Sequence, residues 1–294
     1  MARARRKAGT AAGSEPAVAS AATGPTPGEP QRRPWEPPRR PVEVFRALFT
    51  AELRSSRDFT LTGVLKWMIE PISYMFIYFV LVASVLARGR AGAAYPMFLL
   101  CALVPWRFFT GAVNGSMGLL TRFSSVLTGV PTPKPVLPLV LVATEAANMV
   151  VALVLFVPMV LIYDVDVWPS ILWLPLILAI LVLLTTGPTY LATVFGLYFP
   201  DFRGVAQNLI RAGFFVSTAL VPISLVPGQR LKLLVTANPM SSVFDSFRTA
   251  FGLIRTRTSP ELFDLIYPVL VGGLLLVIGL GLYFWRDRHF PKEV

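Results

Sequence analysis

The sequence predicts an all-α integral membrane protein: six transmembrane helices, an N-terminal amphipathic interface helix, and short re-entrant outer gate helices after the fifth span. Three observations carry that prediction. Mean hydropathy is +0.63, with 54% of residues apolar and 15% charged, a balance far from that of soluble domains. The apolar residues gather into runs that match the roughly 20 residues a helix needs to cross the hydrocarbon core. None of the runs alternates over ten residues as membrane β-barrel strands do.

Residues 1–40 are Ala, Pro, Gly, Ser and Arg with almost no large aliphatic side chains. Such a segment cannot bury a core, so a disordered cytoplasmic tail is expected. Its basic cluster, Arg3, Arg5, Arg6 and Lys7, has no apolar stretch behind it and so does not start a signal peptide. The other reading of an Arg- and Ala-rich leader is an organellar transit peptide. Residues 41–294 are expected to form a single transmembrane domain.

Over residues 42–60, Glu43, Arg46, Thr50, Arg54 and Arg57 fall within one arc at 100° per residue. Phe45, Leu48 and Phe49 take the other side, with Glu52 as the exception. A basic amphipathic helix ahead of a span lies in the membrane interface, in contact with lipid head groups, and offers a surface to a cytoplasmic partner.

Spans are expected at about 64–86, 97–118, 137–162, 169–197, 205–225 and 264–285. The fourth is long enough to tilt. Placing both termini in the cytoplasm puts the basic tail, Arg122, Lys134, Arg203, Arg286, Arg288 and Lys292 inside and Asp164 and Asp166 outside, as positive-inside orientation requires. Arg88, Arg90, Arg230, Lys232, Arg248, Arg255 and Arg257 fall on the outer side against that trend. The net charge of +11 reads as orientation, with no nucleic-acid partner expected.

The stretch Tyr198–Gly252 organises the rest. A polar turn at Pro200-Asp201-Phe202-Arg203 leads into a run carrying Gln207, Asn208 and Arg211. Breaks at Pro222 and Pro227, and then at Asn238-Pro239, leave two pieces over about 228–252, each too short to span. This is the pattern of a gate.

Enzyme chemistry is mostly missing. The chain has one cysteine, Cys101, and one histidine, His289, so an internal disulfide and a histidine metal cluster lack parts, and a Ser–His–Asp triad or a thiol–imidazole pair is not expected. No G-x-x-x-x-G-K-[ST] phosphate loop occurs. Asp164-Val165-Asp166 matches the D-x-D of metal-dependent glycosyltransferases, but two aspartates also simply keep a short outer loop wet.

Charges within the spans say more, because each costs about 2.5–3.5 kcal/mol at a helix centre unless partnered. Glu70 has Lys66 one turn away. Arg107 comes directly after Pro105-Trp106, Glu145 shares a face with Asn148 and Ala152, and Gln207, Arg211, Phe214, Phe215 and Thr218 form a polar–aromatic stripe. Two readings stand: hydrogen bonds that hold the helices together, or an aromatic path on which sugar rings stack.

Several phrases, in order, resemble the membrane subunits of type-2 ABC exporters, in the branch that exports polysaccharides and polyol phosphates such as O-antigen, galactan or teichoic acid. Leu103-Val104-Pro105-Trp106-Arg107-Phe108-Phe109 is similar to the family's Pro-Trp-x-Phe-Phe. Thr132-Pro133-Lys134 with Leu137-Pro138 stands where the family has Phe-Pro-Arg-x-x-Leu-Pro, with the Phe lost and Lys for Arg. Tyr198–Arg203, Phe214-Phe215, Pro222-Ile223, Asn238-Pro239 and Phe247-Arg248 resemble further landmarks, and the likeness covers about residues 42–290.

The resemblance implies a permease, not an enzyme: a homodimer in the bacterial inner membrane, served by two ATPase subunits that hold the ATP and Mg. This chain would bind no cofactor. The cargo would be a lipid-linked glycan. It assigns a substrate path to Trp106, Arg107, Phe108, Phe109, Gln207, Arg211, Phe214, Phe215 and Thr218. It assigns the gate to Pro222, Asn238, Pro239 and Arg248, and coupling to the ATPase to Arg46, Arg54, Arg57, Arg122, Pro133 and Lys134. Arg230, Lys232 and Arg248 are expected to meet the carrier's phosphates outside. The alternatives are a drug or lipid exporter permease, and a membrane glycosyltransferase or phosphotransferase acting on polyprenyl phosphate.

Overall fold

The computed structural model describes residues 41–55, 69–80, 94–123, 135–199, 202–254 and 256–287. They belong to one unit of the chain, residues 37–294. The expected tail 1–40 lies outside the described residues, as do Arg57, Lys66, Arg88, Arg90, Thr132, Pro133, Lys134, Pro200, Asp201, Arg255, Arg288, His289 and Lys292.

Among the described residues every regular element is helical. The order is α1 Pro41–Ser55, α2 Ile69–Val80, α3 Tyr95–Ser116, α4 Leu119–Arg122, α5 Val136–Leu153, α6 Phe156–Tyr163, α7 Leu174–Tyr198, α8 Phe202–Phe215, α9 Gln229–Thr236, α10 Pro239–Ala250 and α11 Leu262–Asp287. Among the described residues four stretches are long and apolar enough to cross a membrane: Tyr95–Ser116, Val136–Tyr163, Ser170–Tyr198 and Leu262–Trp285. They coincide with four of the expected spans. The helix Ile69–Val80 falls inside the expected first span, whose flanks are outside the described residues.

The expected fifth span differs. Instead of running from 205 to 225, α8 ends at Phe215. At 1.5 Å per residue its 14 residues reach about 21 Å, short of the membrane core. The cause is local. Ser217 Oγ donates to Phe214 O at 2.5 Å and accepts from the Ala219 N–H at 3.2 Å, so a side chain takes over where helix bonds would continue. Pro222, extended at ψ 149°, then carries the chain into the single 3-10 turn Ile223–Leu225. Hydropathy counts apolar residues and does not register this loss of backbone pairing.

α9 and α10 make a helical hairpin whose tip, Asn238, meets the open end of α8. Asn238 Nδ2 donates to Gly213 O at 2.8 Å and Val216 O at 2.9 Å, while its Oδ1 accepts from the Met240 N–H at 3.1 Å. One amide therefore closes α8 and starts α10. Beyond the tip, Thr218 N–H donates to Ser241 Oγ and Ser241 Oγ donates to Val235 O. At the far end of α10, Gly252 adopts φ 68°, and a Cβ there would sit 2.2 Å from Asp166 O.

Two contacts set the remaining architecture. α7 and α11 approach through glycines: a Cβ on Gly187 would lie 2.5 Å from Leu276 N, and one on Gly272 2.8 Å from Leu184 Cα. Small residues let backbones close in where lipid supplies no hydrophobic drive. At the α4 end, α1 seats Leu48 against buried Leu119, Leu120, Leu137 and Leu141. Glu52, which broke the amphipathic pattern, turns inward because Arg122 meets it at 2.7 Å.

Gly187→Ala should lower the melting temperature in detergent, because a backbone atom stands where the methyl must go, whereas Gly281→Ala, with nothing within 4 Å, should leave it unchanged or raise it. Asn238→Ala should destabilise the protein by about 1–3 kcal/mol by removing a cap and exposing paired carbonyls. A thermal-shift series over the three variants checks the order.

Candidate functional site

Three helices each turn one stripe of side chains toward a shared cleft of about 300 Å³. α2 contributes Glu70, Tyr74 and Tyr78, spaced four apart. α3 contributes Leu103, Trp106, Arg107, Thr110 and Asn114, which fall on one face at 100° per residue. α8 contributes Arg211 and Phe214, one turn apart.

The walls are aromatic. Trp106 stands 5.3 Å from Phe214 and 5.6 Å from Phe109 between ring centroids, and Tyr78 stands 5.7 Å from Phe214. Gly213 passes Trp106 closely enough that a Cβ would lie 3.6 Å from the indole. The charges are arranged against this wall. Arg107 Nε donates to Glu70 Oε2 at 2.8 Å, so the two charges neutralise each other across α2 and α3. Arg211, exposed, adds a second guanidinium. Asn114 Oδ1 is buried with no hydrogen-bond partner among the described residues, an acceptor that a ligand donor would satisfy.

Not every expected path residue belongs here. Phe108 is 1% exposed and lies in the main core, because it sits opposite the Trp106–Arg107 face of α3. Gln207 is half-buried one turn before Arg211 and does not line the cleft. Phe215 is exposed at the end of α8, with its ring edge-on to Tyr78 at 6.5 Å. Thr218 is buried beyond the helix end, where its hydroxyl donates to Ser241 O at 3.3 Å.

Thr218 instead lines a second cavity of about 470 Å³, with Pro222, Ser241, Asp245, Arg248 and Asp264. Here Arg248 corrects the expectation of an outer basic residue open to phosphates. It is 1% exposed, paired with Asp245 at 2.7 Å, bonded to Ala219 O at 3.1 Å, and stacked 3.4 Å from the Phe98 ring centroid. Asp245, one turn earlier, offsets the loss of water around that charge. Arg230 and Lys232, on α9, are exposed as expected. Pro239 opens α10 directly after Asn238, where a missing N–H breaks no helix bond.

At the α4 end, Arg46 and Arg54 are exposed on α1, and Arg122 is exposed while holding Glu52. Arg57, Pro133 and Lys134 are outside the described residues. The D-x-D pair sits in the loop after α6: Asp164 adopts a left-handed φ of 48°, and Asp166 Oδ1 accepts the Trp168 N–H at 3.0 Å. Both aspartates thus have a loop-shaping role. No group of His, Cys, Asp and Glu among the described residues is arranged to hold a metal ion.

No protein-family model matches the chain. Curated relatives do. The O-antigen export system permease protein RfbA of Myxococcus xanthus is 27% identical over 251 residues, 84% of this chain and 94% of the relative. The chain is similar to polysaccharide-export permeases. The polysialic acid transport protein KpsM of Escherichia coli is 26% identical, over 82% of this chain and 93% of the relative. The RfbA permease of Klebsiella pneumoniae is 23% identical, over 79% and 88%. The resemblance read from the ordered landmarks is thereby borne out, and the relatives are transport proteins rather than enzymes.

Sequence reasoning missed Tyr74 and Tyr78, although their spacing from Glu70 was visible, and it paired Glu70 with Lys66 where the structure supplies Arg107. Glu70→Gln should destabilise the protein by about 1 kcal/mol, the modest scale set by the pair's partial exposure. Adding Arg107→Gln should recover most of that loss. A double-mutant cycle in detergent checks the coupling.

Proposed function

We propose that this chain is the membrane-spanning permease subunit of an ATP-driven exporter that moves a lipid-linked polysaccharide from the cytoplasm to the outer face of the bacterial inner membrane. The observation that carries this reading is the similarity to polysaccharide-export permeases over most of both chains, joined to an aromatic, charge-bearing cleft between the helices. The subunit crosses six times, with α2, α3, α5–α6, α7, α8 with its hairpin, and α11 as the crossings and both termini in the cytoplasm. The hairpin α9–α10 is re-entrant from the outer face; the bonds of its tip to the C-terminal end of α8 support that depth.

Two copies form the path, and two separate ATPase subunits hold ATP and Mg. The cleft offers aromatic faces for sugar rings at Tyr78, Trp106 and Phe214 and a positive edge at Arg211 for the carrier's phosphate, while Phe109 backs Trp106. α1 with Arg46, Arg54 and Arg57, together with Arg122, Pro133 and Lys134, receives the stroke. The Glu52–Arg122 pair supports this, since it ties α1 to α4 at 2.7 Å. ATP binding then rocks the helices as packed units.

An ATPase subunit should copurify with the chain, and loss of the chain should deplete surface glycan; purification without such a subunit and an unchanged surface would overturn the reading. Reversing Glu52 alone to Arg should cut transport-linked ATP hydrolysis severalfold, and combining Glu52→Arg with Arg122→Glu should restore it. Hydrolysis by the reconstituted complex measures both.

A further inference from the structure

A third cavity, of about 640 Å³, opens at the Asp164 end of the molecule, where the loop 163–170 faces Gly252, Leu253, Ile254, Arg257 and Thr258 beyond α10. Its lining includes Tyr163, Asp164, Asp166, Trp168, Arg257 and Thr258. Nothing assigned so far uses it. We propose that it is an exit-side subsite for an uncharged sugar residue of the exported chain, with the Trp168 ring as platform and the Asp164 and Asp166 carboxylates as acceptors for sugar hydroxyls.

The cavity is built rather than left over. Asp166 Oδ1 accepts the Trp168 N–H at 3.0 Å, which fixes the aromatic residue beside the carboxylate. A carboxylate has about four acceptor sites, so that bond leaves Asp166 capacity for hydroxyl donors. The loop is seated on the gate hairpin, because Gly252 lets Asp166 O approach where any side chain would collide. Trp168 is 65% exposed, an open stacking face beside polar groups.

The charge of the lining selects the ligand. The cavity shares Leu253, Ile254 and Arg257 with the neighbouring cavity at Thr218 and Arg248, so the two lie on either side of one stretch of chain. Across both, the described residues supply five carboxylates (Asp164, Asp166, Asp245, Glu261 and Asp264) against two guanidiniums. Both guanidiniums are already paired, Arg248 with Asp245 and Arg257 with Glu261. Among the described residues the residual charge is negative, which disfavours phosphate, anionic head groups and polyanionic glycans and suits neutral hydroxyls.

The proposal rests on the export reading, and the test keeps the two apart. Full chain with its ATPase partner in nanodiscs is titrated with a neutral hexose tetrasaccharide and with an oligosialic acid of equal length, read by saturation-transfer NMR. Transfer to the neutral sugar is expected, reduced at least about fivefold by Trp168→Ala and retained by Trp168→Phe. The acidic oligomer should show none until Asp164→Asn and Asp166→Asn are combined. Equal transfer in wild type and Trp168→Ala, or equal transfer to both oligomers in wild type, overturns the subsite. Partner copurification confirms that each variant is folded. Failure of the export reading would show separately, as unchanged surface glycan on loss of the chain.

Discussion

A helix that ends before it has crossed a membrane leaves carbonyls with no water to meet them, and each must find a donor within the protein. α8, at 14 residues, is too short to cross, and the answer to that constraint organises the rest of the fold. Asn238 takes Gly213 O and Val216 O, Arg248 takes Ala219 O, and Tyr95 donates to Leu220 O at 2.8 Å. Three side chains from three places in the chain thus supply donors for the broken segment. Tyr267, on α11, extends the scheme by donating to Ala237 O at 2.6 Å. The hairpin and α3 are held together because the break at Phe215 draws partners from both, and α11 joins them through the hairpin's own Ala237.

The same constraint governs charge. Arg107 is tolerable in α3 because Glu70 comes to it from α2, and Arg248 is tolerable in the core because Asp245 precedes it by one turn. Each pair also occupies the wall of a cavity. Pairing lets each guanidinium stand in a cavity wall beside its own carboxylate. Arg211 and the Asp164–Asp166 loop depart from this pattern, and they lie at separate places along the molecule.

Much of this fold is legible in the residues themselves. Four span positions come from apolar run length alone, and the break after the fifth run comes from Pro222, Asn238 and Pro239. Trp106, Arg107, Arg211 and Phe214 stand out by residue type within apolar runs, and they share one cleft. Depth and direction are not legible in the same way. Phe108 is the neighbour of Arg107 in the sequence yet faces the core, which only the helical rotation of α3 decides. Arg248 reads as an outer cation because basic residues in loops are counted without their neighbours; its burial depends on Phe98, some 150 residues earlier. The end of α8 at Phe215 is hidden because Ser217 replaces a helix bond without lowering hydropathy much.

Arg248 has a mechanical consequence. It fastens α10 to α3 through Phe98 and to the α8 extension through Ala219, with Phe244 and Phe247 fully buried beside it. α9 has no comparable anchor among the described residues: Leu231, Leu233 and Leu234 are exposed, and Val235 is its buried residue. The hairpin is therefore a flap nailed along one edge. Its grip on the rest of the fold runs along α10 and through the Asn238 corner, and α9 lies outside that grip.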